Sequence, residues 1–157
     1  DHTYRFMKLG TLTERADMTT RILDVGAGDI LKREGDFSSI EPILWAALLE
    51  TMSAKSAFRR LSGPVIEKDN VIDFIANEKD FPRSISHCLN ETKQVVSSLP
   101  NHKETSHLLD RIRRKVRRFK SSNRQESSLH KFISSLQVNL TELDNEIHIK
   151  WFVRNTD

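Results

Sequence analysis

The sequence predicts an all-α protein, a helical bundle of five or six helices with a long central N-terminal helix. Three observations predict it. Apolar residues recur at three- and four-residue spacing through most of the chain, as a buried helical face requires. Turn formers are few, with five Gly and four Pro among 157 residues, too few for a sandwich or barrel of many short strands. No convincing pair of strands can be traced anywhere in the chain.

From Thr3 to about Leu31, residues Leu9, Leu12, Ala16, Leu23, Ala27 and Ile30 fall within roughly 60° of one another at 100° per residue, one face of a long helix. Met18, Ile22 and Val25 lie on another side of the same cylinder, which predicts neighbours in two directions and a central place. The helix should end near Gly35. Ser38 and Glu41 have capping-box spacing, Pro42 is tolerated in a first turn, and Ile40, Ile43, Leu44, Ala47, Leu48 and Thr51 follow at helical spacing. This second helix runs to about Arg60, with a break near Ser53. Gly63 and Pro64 then punctuate the chain. Val71, Ile72, Phe74 and Ile75 predict a short helix over 70–77, a short strand being the alternative. After Pro82, Ser84 is placed as an N-cap for a helix carrying Ile85, Cys88, Leu89, Thr92, Val95, Val96 and Leu99, which stops at Pro100. Leu109, Ile112, Val116 and Phe119 step through a basic segment, and 121–128 reads as a turn. Leu129, Phe132, Ile133, Leu136, Leu140, Leu143, Ile147 and Trp151 mark a long closing helix.

A chain of this length buries roughly 70% of its unfolded surface, enough for one domain spanning 1–157. Hydrophobic residues make up 37% and charged residues 30%. A single cysteine, Cys88, forms no internal disulfide, no signal-peptide pattern opens the chain and no apolar run reaches membrane-helix length, so a cytoplasmic location is expected. Asp1 begins mid-pattern in a helix, which predicts a fragment or processed form.

The most informative polar pattern is on the first helix, where Glu14, Asp17, Arg21 and Asp24 project within an arc of about 80°. The stripe borders Met18 and Val25. If the helix is central, some of these charges are partly buried and need cations from neighbouring helices, for which Arg59, Arg60 and Arg83 are candidates. The residues leave three roles open: a solvated or internal ion-pair network that fixes helix register, a surface on which arginine forks hold carboxylates, or an acid–base site in which Glu14 or Asp17 is catalytic. The last requires burial or a neighbouring carboxylate to move a pKa toward neutrality.

Tyr4, Phe6, Leu9 and the run Glu14-Arg15-Ala16-Asp17-Met18-Thr19-Thr20-Arg21-Ile22-Leu23-Asp24-Val25 resemble the signature helix of the alpha-E domain family. Trp45, Ala57-Phe58-Arg59-Arg60, Val71-Ile72-Asp73-Phe74, Phe81-Pro82-Arg83-Ser84-Ile85, His87-Cys88-Leu89 and Leu129-His130-Lys131-Phe132 follow in the order that family shows. Members are about twice as long, so the resemblance implies that this chain corresponds to their C-terminal half. It also implies a bacterial helical domain encoded beside or fused to a circularly permuted ATP-grasp ligase and a transglutaminase-like protein, hence a part in peptide synthesis or modification. Carried over by motif, Glu14, Arg15, Asp17, Arg21, Asp24, Arg59, Arg60 and Arg83 are the site candidates, with Glu14 and Asp17 the catalytic ones if there is catalysis. The implied partner is the ligase, the transglutaminase-like protein or a peptide. Gly26 and Gly28 depart from the pattern and weaken the helix beyond Val25.

Those glycines make Ile22-Leu23-Asp24-Val25-Gly26-Ala27-Gly28 imitate the strand and glycine-rich loop of a nucleotide-binding α/β domain, but no further strands alternate with helices downstream. No cofactor is expected. Arg111, Arg113, Arg114, Lys115, Arg117, Arg118, Lys120 and Arg124 crowd one stretch. The segment 111–120 is read as the charged outer face of an amphipathic helix, with an acidic partner protein or phosphates as alternatives. Glu104 and His107 have the Glu-x-x-His spacing of di-iron bundles without a second copy, and His87 with Glu91 is a lone pair, so no metal is expected. Cys88, on an apolar stripe, is expected to be a core thiol.

Overall fold

A computed structural model describes residues 1–119 and 126–153. Its described residues form seven helices: α1 (His2–Leu31), α2 (Glu41–Thr51), α3 (Lys55–Ser62), α4 (Lys68–Asn77), α5 (Ile85–Ser97), α6 (Lys103–Arg118) and α7 (Glu126–Trp151). The count exceeds the expected five or six because the break near Ser53 is complete. Ser53 has φ 53°, a left-handed conformation that no helix continues through, so the predicted second helix becomes α2 and α3. The turn read over 121–128 lies mostly outside the described residues, and its last three positions open α7.

α1 is 30 residues long, capped by the Asp1 side chain, which accepts from the Thr3 N–H at 3.0 Å. It packs against α2, α4, α5 and α7, while α6 lies between α5 and α7. Leu9, Leu12, Ala16, Leu23, Ala27 and Ile30, the predicted face, are all buried. The second predicted face is not. Met18 is 54% and Val25 65% exposed, because the neighbours of α1 crowd its other flanks. The helix nevertheless continues through both glycines to Leu31. At Gly26 a β-carbon would run into the Leu48 side chain of α2, so this glycine lets the two helices approach, and packing overrides its low helix propensity.

α2 buries Trp45, Leu48 and Leu49, whereas Ile43, on the predicted apolar stripe, is 65% exposed. The helix is apolar almost all round, so periodicity offers no contrast between faces; the large Trp45 and the α1 contact at Leu48 decide which one turns inward. The predicted capping box is also absent: Ile40 precedes the helix without a side-chain cap, and Ser38 instead donates from N (3.1 Å) and Oγ (2.8 Å) to Asp36. Residues 70–77 are helical within α4, not a strand. Ser84 does cap α5, its Oγ accepting from the His87 N–H at 3.0 Å.

One hydrophobic core runs through all seven helices. Phe58 of α3 meets Phe74 of α4 edge-on at 5.2 Å, and Phe74 stacks on Phe81 at 4.8 Å. This aromatic chain ties α3 and α4 to the loop that leads into α5, and the same loop presents Arg83 to α1.

Candidate functional site

α2 returns antiparallel along α1, so that Leu48 meets Gly26 while Thr51 and Met52 reach the middle of α1. There a cleft of about 320 Å³ opens, lined by Thr11, Glu14, Arg15, Met18, Thr19, Ile22, Thr51, Met52 and Arg83. Met18, Ile22 and Met52 give it apolar surface, and Glu14, Arg15 and Arg83 give it charge. Three hydrogen bonds build it. Thr19, only 2% exposed, donates from Oγ1 to the Arg83 carbonyl at 2.8 Å. Arg83 donates from Nη1 to the Met52 carbonyl at 2.6 Å. Arg15 donates from Nη1 to the Pro82 carbonyl at 3.4 Å. The loop before α5 is thereby held against α1 and the end of α2.

Each guanidinium has five N–H donors in a planar fork. Arg15 and Arg83 each spend one on a backbone carbonyl and neither pairs with a carboxylate among the described residues. Glu14 is exposed and is likewise without a hydrogen-bond or ion-pair partner among them. Two positive forks and one free carboxylate therefore border one small apolar cleft.

The structure disperses the rest of the predicted stripe. Asp17 and Arg21 pair with each other at 2.8 Å, and the bond and charge of Asp17 push the Arg21 pKa up further from its already high value. Both line a shallow depression with Glu14, Thr141 and Asp144 on the α7 side of α1. Asp24 lies farther along, its Oδ1 2.9 Å from His130 Nδ1 of α7, beside a hollow of about 430 Å³ lined by Val25, Gly28, Asp29, Lys32, Leu129 and Lys131. Arg59 and Arg60 are exposed on α3, and among the described residues neither forms an ion pair with a carboxylate of α1. Of the three cations named as partners for the stripe, only Arg83 comes to it.

Elsewhere, the basic helix divides in two. Arg111 pairs with Glu142 at 3.0 Å, Arg113 with Asp110 at 3.0 Å, and Lys115 reaches Asn139 at 2.8 Å. Arg114, Arg117 and Arg118 point to solvent. Cys88 is buried in the core, where burial pushes its thiol up to about 11 while the charge of Arg15 pulls the other way. Among the described residues no group of three or more His, Cys, Asp or Glu is placed to hold a metal ion, and no helix is long and apolar enough to cross a membrane.

Sequence reasoning missed Thr19, Thr51 and Met52 as cleft residues. Thr19 did carry a signal: a polar side chain four residues from Arg15 and three from Ala16, on the edge of the buried face, needs a partner. Met52 carried none, since its carbonyl enters the site only through the break after α2.

Comparison with curated proteins and with solved structures gives no match. The model of a family described as a predicted alpha-helical domain with a conserved ER motif matches residues 1–152, the chain as a whole rather than one half of it. Glu14-Arg15 is the only Glu-Arg dipeptide in the sequence, and it stands on the rim of the cleft. The chain belongs to the Alpha-E family.

Proposed function

We propose that this chain is a helical accessory domain that holds a carboxylate of a peptide or of a partner protein in the cleft between α1, the end of α2 and the loop before α5. The observation that carries this reading is the pair Arg15 and Arg83, two guanidiniums bonded to backbone carbonyls yet without a carboxylate partner among the described residues. Arginine forks fixed in this way lose little entropy when they take a carboxylate. In this proposal the chain is a single domain over 1–157 in the cytoplasm, as its length and lone cysteine lead us to expect, and it acts with an ATP-grasp type ligase or a transglutaminase-like protein in bacterial peptide synthesis or modification, as the family resemblance implies.

A structural reading has its own support, because the bonds that aim Arg15 and Arg83 also staple a loop to α1. The acid–base reading has less: Glu14 is exposed, and Asp17 is held by Arg21, so the burial it calls for is missing at Glu14. The test is a calorimetric titration and pull-down against the ATP-grasp protein of the implied pair, using the native chain, Glu14→Gln and Arg83→Ala, with thermal melts of each. Arg83→Ala should abolish binding while lowering the melting temperature by only the few degrees that loss of its one bond to the Met52 carbonyl costs. A variant that melts much lower while the native chain binds nothing would make the arginines staples only.

A further inference from the structure

The composition of the cleft specifies more than an anion. We infer that it reads the free C-terminus of a peptide whose last residue has an apolar side chain, an inference that rests on the carboxylate-binding reading above. Three features of one site carry it. Arg15 and Arg83 offer their remaining N–H groups to a carboxylate. Met18, Ile22 and Met52 line the same cleft with apolar surface, suited to one aliphatic side chain. Glu14, on the same cleft, is a carboxylate without a partner among the described residues.

Glu14 decides between ligand classes. A carboxylate with a plain hydrocarbon tail, such as a fatty acid, would place its own charge near Glu14 and offer that residue no donor in return. A peptide terminus offers the N–H of its last residue, a few ångströms from its carboxylate, so Glu14 accepts while the arginines donate. Like-charge repulsion without compensation is a device against the wrong ligand. Size fits as well: about 320 Å³ is near the lower end of the roughly 300–1,000 Å³ typical of ligand pockets, room for one or two residues.

The experiment is fluorescence anisotropy of the full chain with a fluorescein-labelled pentapeptide ending in Leu, as free acid and as C-terminal amide, with octanoate as competitor. The free acid should bind at least tenfold more tightly than the amide, and a peptide ending in Asp should bind at least tenfold more weakly. Glu14→Ala should weaken the peptide while strengthening octanoate, a crossing that mere loss of structure cannot produce. Equal binding of acid and amide would overturn the C-terminal inference and leave a peptide-binding cleft standing. Arg83-dependent binding of the ligase with no peptide binding would overturn the inference alone. If neither peptide nor ligase binds, the carboxylate-binding reading falls with it.

Discussion

Thr19 shows how much of the cleft depends on one side chain. Its hydroxyl is buried and its single donor goes to the Arg83 carbonyl, so Thr19→Val keeps the shape and leaves that carbonyl unpaired. The expected loss is about 1–2 kcal/mol in urea denaturation, with Thr19→Ser recovering most of it. Cys88 gives a second prediction at this scale. Its thiol, ordinarily at 9.0, is pushed up to about 11 by burial, so the folded protein keeps it neutral after the unfolded chain has ionised. The contribution to stability is complete below about pH 9 and is lost as pH rises toward 11, on the order of 2–3 kcal/mol in all. Alkylation at pH 8 should be slow in the native protein and fast in denaturant; fast native alkylation would contradict the burial. The core role of Cys88 was legible from its stripe, and the charged motif of α1 was legible as residues. The bonds of Arg15 and Arg83 were not, because they run to backbone carbonyls brought near by the fold.

Among the helices, the agreement between sequence and structure is closest where apolar and polar residues contrast. α5 and α7 bury nearly all the residues their periodicity marked. α2 has almost no contrast, and its face was chosen by its neighbours. The two faces make opposite predictions: Trp45→Ala should cost about 3–5 kcal/mol by cavity formation, and Ile43→Ala should stay within about 0.5 kcal/mol. Comparable losses would mean that α2 is rotated from the orientation described. The glycines of α1 divide in the same way. A β-carbon at Gly10 or Gly28 meets nothing within 4 Å, so alanine there should stabilise by about 0.5–1 kcal/mol. Gly26→Ala meets Leu48, itself buried, and should destabilise by about 1–3 kcal/mol in the same melts.

At the scale of the whole molecule, α1 is the axis on which four other helices are set. Its charged stripe reads as one feature in sequence because helical spacing aligns Glu14, Asp17, Arg21 and Asp24. In the bundle each stretch of the helix meets a different neighbour, so the stripe becomes three environments. Near α7, Asp17 satisfies Arg21 and Asp24 meets His130. Near α2 and the α5 loop, Glu14 and Arg15 border the cleft with Arg83. The proposed site is the last of these, where Glu14 has no partner among the described residues; Asp17 and Arg21 pair within α1, and Asp24 meets the His130 ring across to α7. The most direct test is an NMR titration of the isotope-labelled chain with N-acetyl-leucine and with its amide. The acid should shift the amide signals of Arg15, Thr19, Met52 and Arg83 together along one saturating curve, and the amide should leave them in place. Shifts centred on Asp24 and His130, shifts along α6, or equal responses to acid and amide would contradict a carboxylate site at Glu14-Arg15.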